Sequence, residues 1–412
     1  DDEIRDVLQA LEEKRKYYRL RSGSLLSLES REFAEIDRFL KAAPVQKEDI
    51  ESSFDVPLIQ GMRLLSNTDQ TDTFQLEQSF RQFLQNIQHP DQLDYDVPPH
   101  LISILRPYQV QGYKWMKMMA HYRFGGILAD DMGLGKTLQS ITFLLSELAE
   151  IRHKQKPALI VCPSSLTYNW RSEIEKFAPG IRLVIMDGVK AERLKKQDNL
   201  KGVDMVITSY PLLRQDLRWY EKQQFHTVFF DEAQAFKNPV TQTAKAVKKI
   251  QADYKFALTG TPVENSLEEL WSIFHVVFPE LFLGLKEYSQ LSRQTISRRI
   301  RPFLLRRLKE DVLSELPNKL ESLESIELLP EQKKLYGAYL AKLREDTLKH
   351  LDKDTFRKNK IRILAGLTRL RQICCHPALF VDGYKGGSAK FEQLLQIIEE
   401  SQMAGRRVLI FS

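Results

Sequence analysis

The chain has 412 residues, 42% hydrophobic and 28% charged, which excludes a disordered chain and leaves enough apolar surface for two or three ordinary cores. Its formal net charge of +6 is compatible with a nucleic-acid partner without requiring one. Cys162, Cys374 and Cys375 form neither a disulfide framework nor a metal knuckle, and no apolar run reaches the roughly 18 residues that a membrane helix needs. The thiols fit a reducing compartment. The acidic start "DDEIRDV" is no signal peptide. The chain begins without Met and closes on "RRVLIFS", a buried-strand pattern, so it reads as a fragment.

In chain order, residues 1–95 read as a helical region. "DEIRDVLQALEEKRKYYRL" carries apolar residues at helical spacing, "SLESREFAEIDRFLKAA" opens with an N-cap serine, and "TFQLEQSFRQFLQNI" is a third helix. The proline- and acid-rich "HPDQLDYDVPPHL" marks a boundary. Residues 96–285 then alternate short apolar runs with helical stretches. The runs are "GGILA", "ALIVC", "RLVIM", "DMVIT", "HTVFF" and "KFALT". That alternation predicts an α/β fold with a parallel sheet covered on both faces. Residues 286–387 form a long, charged, helical stretch, and 388–412 give one helix and one more strand.

In "GGILADDMGLGKTLQS", a strand, a glycine loop and a helix follow one another, which places backbone N–H groups and a helix N-terminus around an anion. The strict pattern G-x-x-x-x-G-K-[ST] fails, because Asp130 stands where the first glycine belongs and Asp131 follows it. Gly133 and Gly135 let the backbone approach phosphate, Lys136 would reach the β- and γ-phosphates, and the Thr137 hydroxyl would bind Mg²⁺. The competing reading is a Gly-Leu-Gly turn before a helix with a surface lysine. Further on, "HTVFFDEAQAFKN" ends a strand in Asp231-Glu232, at the strand end where such sheets bind ligands. Asp231 would hold Mg²⁺ and Glu232 would polarise an attacking water. The competing reading is an acidic helix N-terminus. In "LRPYQVQGYKWM", the Gln109 amide could pair with an adenine edge.

Together these segments resemble the Swi/Snf ATPases, a branch of the superfamily-two helicase-like proteins. The match runs from "LRPYQVQGYKW" to the last residues. "DDMGLGKT" is similar to the family's phosphate loop, which also departs from the strict glycine pattern. "CPSSLTYNWRSEIEKFAP" is similar to motif Ia, "VITSY" to the next DNA-contact motif, "DEAQAFKN" to the DEAH-like box and "LTGTPVENSLEELWSIFHVVFP" to motif III. "RPFLLRRLKEDVLSELPNKLE", "LLPEQKKLY" and "LRQICCHP" are segments that general helicases lack, and "RVLIFS" resembles motif IV.

The resemblance implies two RecA-like lobes with ATP and Mg²⁺ between them and double-stranded DNA across both. It implies nucleotide contacts by Gln109 and by Met132, Gly133, Leu134, Gly135, Lys136, Thr137 and Leu138. Gln234, Thr259, Gly260 and Thr261 would couple nucleotide to lobe motion. DNA contacts would fall to Ser164, Ser165, Asn169, Thr208 and Ser209. The family's motifs V and VI, with their arginine fingers, do not occur in these residues, so weak binding of Mg·ATP and slow hydrolysis are expected of this chain.

Other features stay open at this stage. Residues 286–312 hold eight Lys or Arg against three acids, which suits DNA phosphate, closure onto nucleotide or a solvated face equally. Arg307 and Lys309 match family positions, with a structural role as open as a DNA contact. Trp170 and Trp271 read as core anchors rather than base stackers. Thr208, Ser209 and Tyr210 could touch phosphate or cap a helix. Cys374, Cys375 and His376 lack zinc spacing.

The leading function is a monomeric ATP-driven translocase acting on a DNA-bound protein complex. The alternatives are an unwinding helicase, which the family-specific segments oppose, and a non-catalytic ATP-dependent scaffold, which the intact Lys136, Thr137, Asp231 and Glu232 oppose. No membrane partner is expected. The compact insertions suggest a bacterial, nucleoid-associated protein; a eukaryotic one would be nuclear.

Overall fold

A computed structural model describes residues 2–30, 32–34, 36, 58–59, 61–62, 77–260, 267–282, 284–313, 315, 320–348, 353–379 and 381–411. The chain divides into two compact units, residues 1–316 and 317–412.

The first unit is built on a seven-stranded sheet. Its strands are β3 (Gly126–Leu128), β4 (Ala158–Cys162), β5 (Leu183–Ile185), β6 (Met205–Ser209), β7 (Gln224–Phe230), β8 (Gln251–Leu258) and β9 (Leu304–Leu305). They lie in the order β5-β6-β4-β7-β8-β3-β9, and every pair is parallel. All residues of β3, β4 and β6 are buried. Successive side chains of a strand face opposite sides, so the sheet is covered on both faces, as the continuous apolar runs predict. All six predicted runs are strands, and β9 is an addition. β9 is two residues inside a basic segment, too short to carry a readable period.

The helix Lys136–Ser146 is anchored onto the sheet by aromatic packing. Phe143 sits edge-on to Phe229 of β7 and to Phe256 of β8, with ring centroids 6.0 and 5.4 Å away. This fixes the helix start, and so the loop before it, against the ends of β7 and β8. The helix Pro107–His121 is tied to the same region by Trp115, whose Nε1 donates to the Pro302 carbonyl at 3.0 Å. The linker 89–101 is packed rather than free. Leu93, Tyr95 and Val97 lie against the main core, and Tyr113 Oη donates to the Asp96 carbonyl at 2.8 Å.

The N-terminal prediction needs correcting. The first helix stops at Glu12, and Tyr17–Arg19 (β1) pairs antiparallel with Leu25–Ser27 (β2). Lys14 adopts φ +56° and Arg15 N–H reaches back to the Ala10 carbonyl at 3.0 Å, a left-handed helix stop. The following Tyr-Tyr then favours extended chain. Of the second predicted helix, 32–34 and 36 are helical; Ser27, the expected N-cap, belongs to β2, 28–30 are not helical, and the rest lies outside the described residues. The third is found at Gln78–Gln88.

The second unit holds helices Pro330–Leu348, Lys353–Cys375 and Ala389–Met403. Gln332, fully buried, binds them together. Its Nε2 donates to the Ile373 carbonyl at 3.0 Å, and its Oε1 accepts from the Ala389 N–H at 3.0 Å. The strand expected at the end of the chain is absent: 406–411 form no strand, and Leu409 and Phe411 are exposed. A strand exists by pairing its backbone, and no neighbour pairs this one among the described residues.

Candidate nucleotide-binding site

Three strand ends meet side by side. β8 lies between β3 and β7, so the loop after β3, Thr259-Gly260 after β8 and Asp231-Glu232 after β7 are neighbours. In the loop, Gly133 and Gly135 have φ of +87° and +77°, a left-handed backbone that side chains disfavour and that turns the chain tightly into the helix. Lys136 folds back over this turn, donating from Nζ to the Asp130 and Asp131 carbonyls at 2.6 and 3.2 Å. Burial lowers the Lys136 pKa, while Asp130, Glu232, Asp231 and Asp131 all favour its charge. A lysine surrounded by four acids and held only by carbonyls suits an incoming anion better than a fixed ion pair. Thr137 is half-buried, with no side-chain hydrogen bond to the described residues, so its hydroxyl is free to ligate. Leu134 is buried beneath the loop, Met132 is exposed above it, and Leu138 is half-buried on the helix.

The two acids that break the glycine pattern have their own partners. Asp130 is fully buried and takes a two-pronged ion pair from Arg307: Nε donates to Oδ1 at 2.9 Å and Nη2 donates to Oδ2. Arg307 Nη2 also donates to Gln139 Oε1 at 2.7 Å, and Gln139 Nε2 donates to Asp130 Oδ2 at 3.2 Å. Arg307 Nη1 donates to the Tyr108 carbonyl. Gly112 leaves room for this cluster, since a Cβ there would lie 1.8 Å from Gln139 Oε1. Asp131 Oδ2 accepts the Lys309 N–H at 3.1 Å. The β3–β9 pairing continues past the strands, with Ala129 N–H to the Leu305 carbonyl at 2.7 Å and Asp131 N–H to the Arg307 carbonyl at 3.0 Å. The acids therefore bind the edge strand instead of facing phosphate. Of the two roles left open for Arg307, the structure shows the structural one.

Gln109 lies under the loop. Its Oε1 accepts the Arg106 N–H at 3.0 Å, its Nε2 donates to the Leu134 carbonyl at 3.2 Å, and a Cβ on Gly135 would come within 2.4 Å of Nε2. An amide keeps a second lone pair and a second N–H after these bonds.

Asp231 is buried at the end of β7. Its Oδ2 accepts Trp170 Nε1 at 2.8 Å, its Oδ1 accepts the Glu232 N–H at 2.9 Å, and its own carbonyl accepts Tyr210 Oη at 2.7 Å. Burial raises the Asp231 pKa; the Trp170 bond opposes this and the charge of Glu232 adds to it. Two adjacent carboxylates, one buried, call for a cation, so the donor set of Asp231 and Thr137 fits Mg²⁺. Trp170 is a core residue, as predicted, and its bond to the acid was unforeseen. Glu232 has φ +50°, an unfavourable backbone for a glutamate. Gln234 Nε2 donates to Glu232 Oε2, and Thr259 Oγ1 donates to Gln234 Oε1 at 3.1 Å. Glu232, Gln234 and Thr259 thus form one hydrogen-bonded chain across two strand ends. Gly260 is beside it, where a Cβ would lie 3.7 Å from Lys136 Nζ. Thr261 lies outside the described residues.

The residues expected at DNA divide into two groups. Ser164, Ser165 and Asn169 are exposed, on a 3₁₀ turn and the helix Thr167–Phe177. Thr208 and Ser209 are buried, 0% and 2% exposed, at the C-terminal end of β6. Cys374, Cys375 and His376 gather no metal-holding group among the described residues. The cluster with such spacing is Glu147, Glu150 and His226, whose glutamates pair with Lys117 and Lys154.

Comparison with known proteins adds the family. Residues 108–379 match the SNF2-related domain, and residues 1–98 match the region described as bacterial SNF2 helicase associated. An uncharacterized ATP-dependent helicase of Mycoplasma pneumoniae is 39% identical over 79% of this chain and 32% of its own. The putative ATP-dependent helicase/translocase YwqA of Bacillus subtilis is 35% identical over 84% of this chain and 40% of its own. The TATA-binding protein-associated factor MOT1 of Saccharomyces cerevisiae is 32% identical over 80% of this chain and 20% of its own. The chain thus spans less than half the length of each of these relatives. With its phosphate loop, acid pair and edge strand all inside the matched residues, the chain belongs to the SNF2-related family and is of bacterial type.

Proposed function

We propose that this chain is the ATP-hydrolysing part of a translocase that moves on double-stranded DNA and remodels a DNA-bound protein complex. The observation that carries the reading is that Lys136, Asp231, Glu232 and Thr259 stand at or just beyond three neighbouring strand ends, with Gln234 bonding Glu232 to Thr259. Lys136 leaves its carbonyl partners to bind the terminal phosphates. Thr137 and Asp231 would hold Mg²⁺, which would supply charge neutralisation on the phosphates. Glu232 takes a proton from the attacking water, and Gln234 and Thr259 pass the loss of phosphate from one strand end to the next. Gln109 uses its remaining amide valences for adenine. Ser164, Ser165 and Asn169 are the exposed residues placed to meet DNA. The names helicase and translocase carried by the relatives support motion on nucleic acid, and that of MOT1 supports a protein bound to DNA as cargo. The divisions of this reading are the region 1–95, the lobe 96–285, the stretch 286–387, whose β9 completes the lobe's sheet, and 388–412 as the start of a second lobe.

The test is ATP turnover by the intact protein with duplex DNA, single-stranded RNA or nothing added. Stimulation by duplex DNA alone is expected; stimulation by RNA, or by neither, would refute the substrate. Glu232→Gln should abolish movement and turnover while nucleotide still binds, whereas a scaffold would keep its function.

A further inference from the structure

The edge strand brings a second lysine to the phosphate loop. Lys309 follows β9, and its backbone is fixed there by its own N–H to Asp131 Oδ2 at 3.1 Å and by the Arg307–Asp130 ion pair two residues earlier. Its side chain reaches over Gly133: a Cβ on that glycine would lie 3.5 Å from both Cε and Nζ of Lys309. The position is thus defined by the same residue whose left-handed turn shapes the loop. Among the described residues no carboxylate or carbonyl takes this ammonium, whereas the Lys136 ammonium is held by two carbonyls. An exposed, unpaired lysine whose backbone is held beside a phosphate loop raises the local positive potential where a polyphosphate would lie.

We propose that Lys309 is a second cationic ligand for the terminal phosphates of a bound nucleoside triphosphate, supplied from the edge strand instead of the loop. The inference rests on the nucleotide-site reading above. Because the side chain makes no bond in the unliganded protein, it contributes to binding and not to the resting fold.

The experiment is titration of fluorescent ATP, ADP and AMP, with Mg²⁺, into the 412-residue chain and into Lys309→Ala, Lys309→Gln, Lys309→Arg and Lys136→Ala. Loss of one charge-assisted contact is expected to weaken ATP and ADP roughly tenfold in the Ala and Gln variants. AMP binding should not change, Lys309→Arg should keep most of the affinity, and the melting temperature should stay at that of the unaltered chain. ATP bound by both Lys309→Ala and Lys309→Gln as tightly as by the unaltered chain would overturn the inference alone, provided that Lys136→Ala still weakens binding. An equal loss for AMP would overturn the assignment to the terminal phosphates. If Lys136→Ala changes nothing, or the unaltered chain binds no ATP, the nucleotide reading falls and the inference falls with it.

Discussion

Asp130 carries a buried charge in a loop shaped for phosphate, and Arg307 cancels it. Removing one partner of such a pair leaves an uncompensated charge in a low-dielectric site, which typically costs about 3–5 kcal/mol. Arg307→Ala is therefore expected to destabilise the first unit by about 3 kcal/mol in urea unfolding, with the double change Arg307→Gln and Asp130→Asn costing less. An Arg307→Ala variant as stable as the parent would disprove this. The sequence marks Lys136 and Thr137 by the glycine loop before them, and Asp231 and Glu232 by the apolar strand they follow. The partners that set their properties were not. Arg307 is 177 residues from Asp130, and Trp170 is 61 from Asp231. A lone arginine in a basic segment and a tryptophan in a helix give no sign of which distant carboxylate they meet.

At the level of elements, strands buried on both faces announced themselves and those depending on a neighbour did not. β4 reads "ALIVC" and needs no further clue. β9 and the hairpin of β1 and β2 are short, and pairing rather than composition decides them. Composition misled at 406–411, where an apolar run has no strand to join. The start of β6 illustrates how elements are also held by charge. Asp204, buried there, accepts from Arg152 at 2.9 and 2.8 Å and from Arg182 at 3.1 and 2.9 Å. Burial alone would raise its pKa, but the bonds from Arg152 and then Arg182 outweigh it and hold it well below the usual carboxylate range. A depressed folded pKa contributes stability that is complete above the unfolded value of roughly 3.9 and is lost as pH falls toward the folded one. Asp204→Asn should therefore lower stability at neutral pH and flatten its decline on acidification, measured as urea midpoints from neutral pH down to about pH 3. An acid limb unchanged by the substitution would show that other carboxylates dominate.

For the whole molecule, the division falls between residues 316 and 317, so the site residues described, from Gln109 to Lys309, belong to one unit. The resemblance implies that turnover draws on arginine fingers from motifs V and VI, which do not occur in these residues, and such groups supply about 10³–10⁵ in rate. The 412-residue chain alone is expected to hydrolyse ATP slower than an intact family member by about that factor, in a steady-state phosphate-release assay with duplex DNA present. Comparable rates would show that these 412 residues supply all that turnover needs. The fold class was legible because strand and helix alternate regularly; the unit boundary was not, since no proline- or glycine-rich stretch marks it.

The place of β9 in the sheet also orders events during synthesis. β3 is made early, yet its outer neighbour comes from residues 304–305, after β4 to β8 have been translated. Until that segment leaves the ribosome, the backbone of Ala129 and Asp131 has no partner on that side and the Asp130 carboxylate no counter-charge. The nucleotide loop is thus the last part of the sheet to be completed, although its residues are among the first to emerge. A nascent chain halted before Leu304 holds every predicted motif residue of the site and still lacks its finished shape.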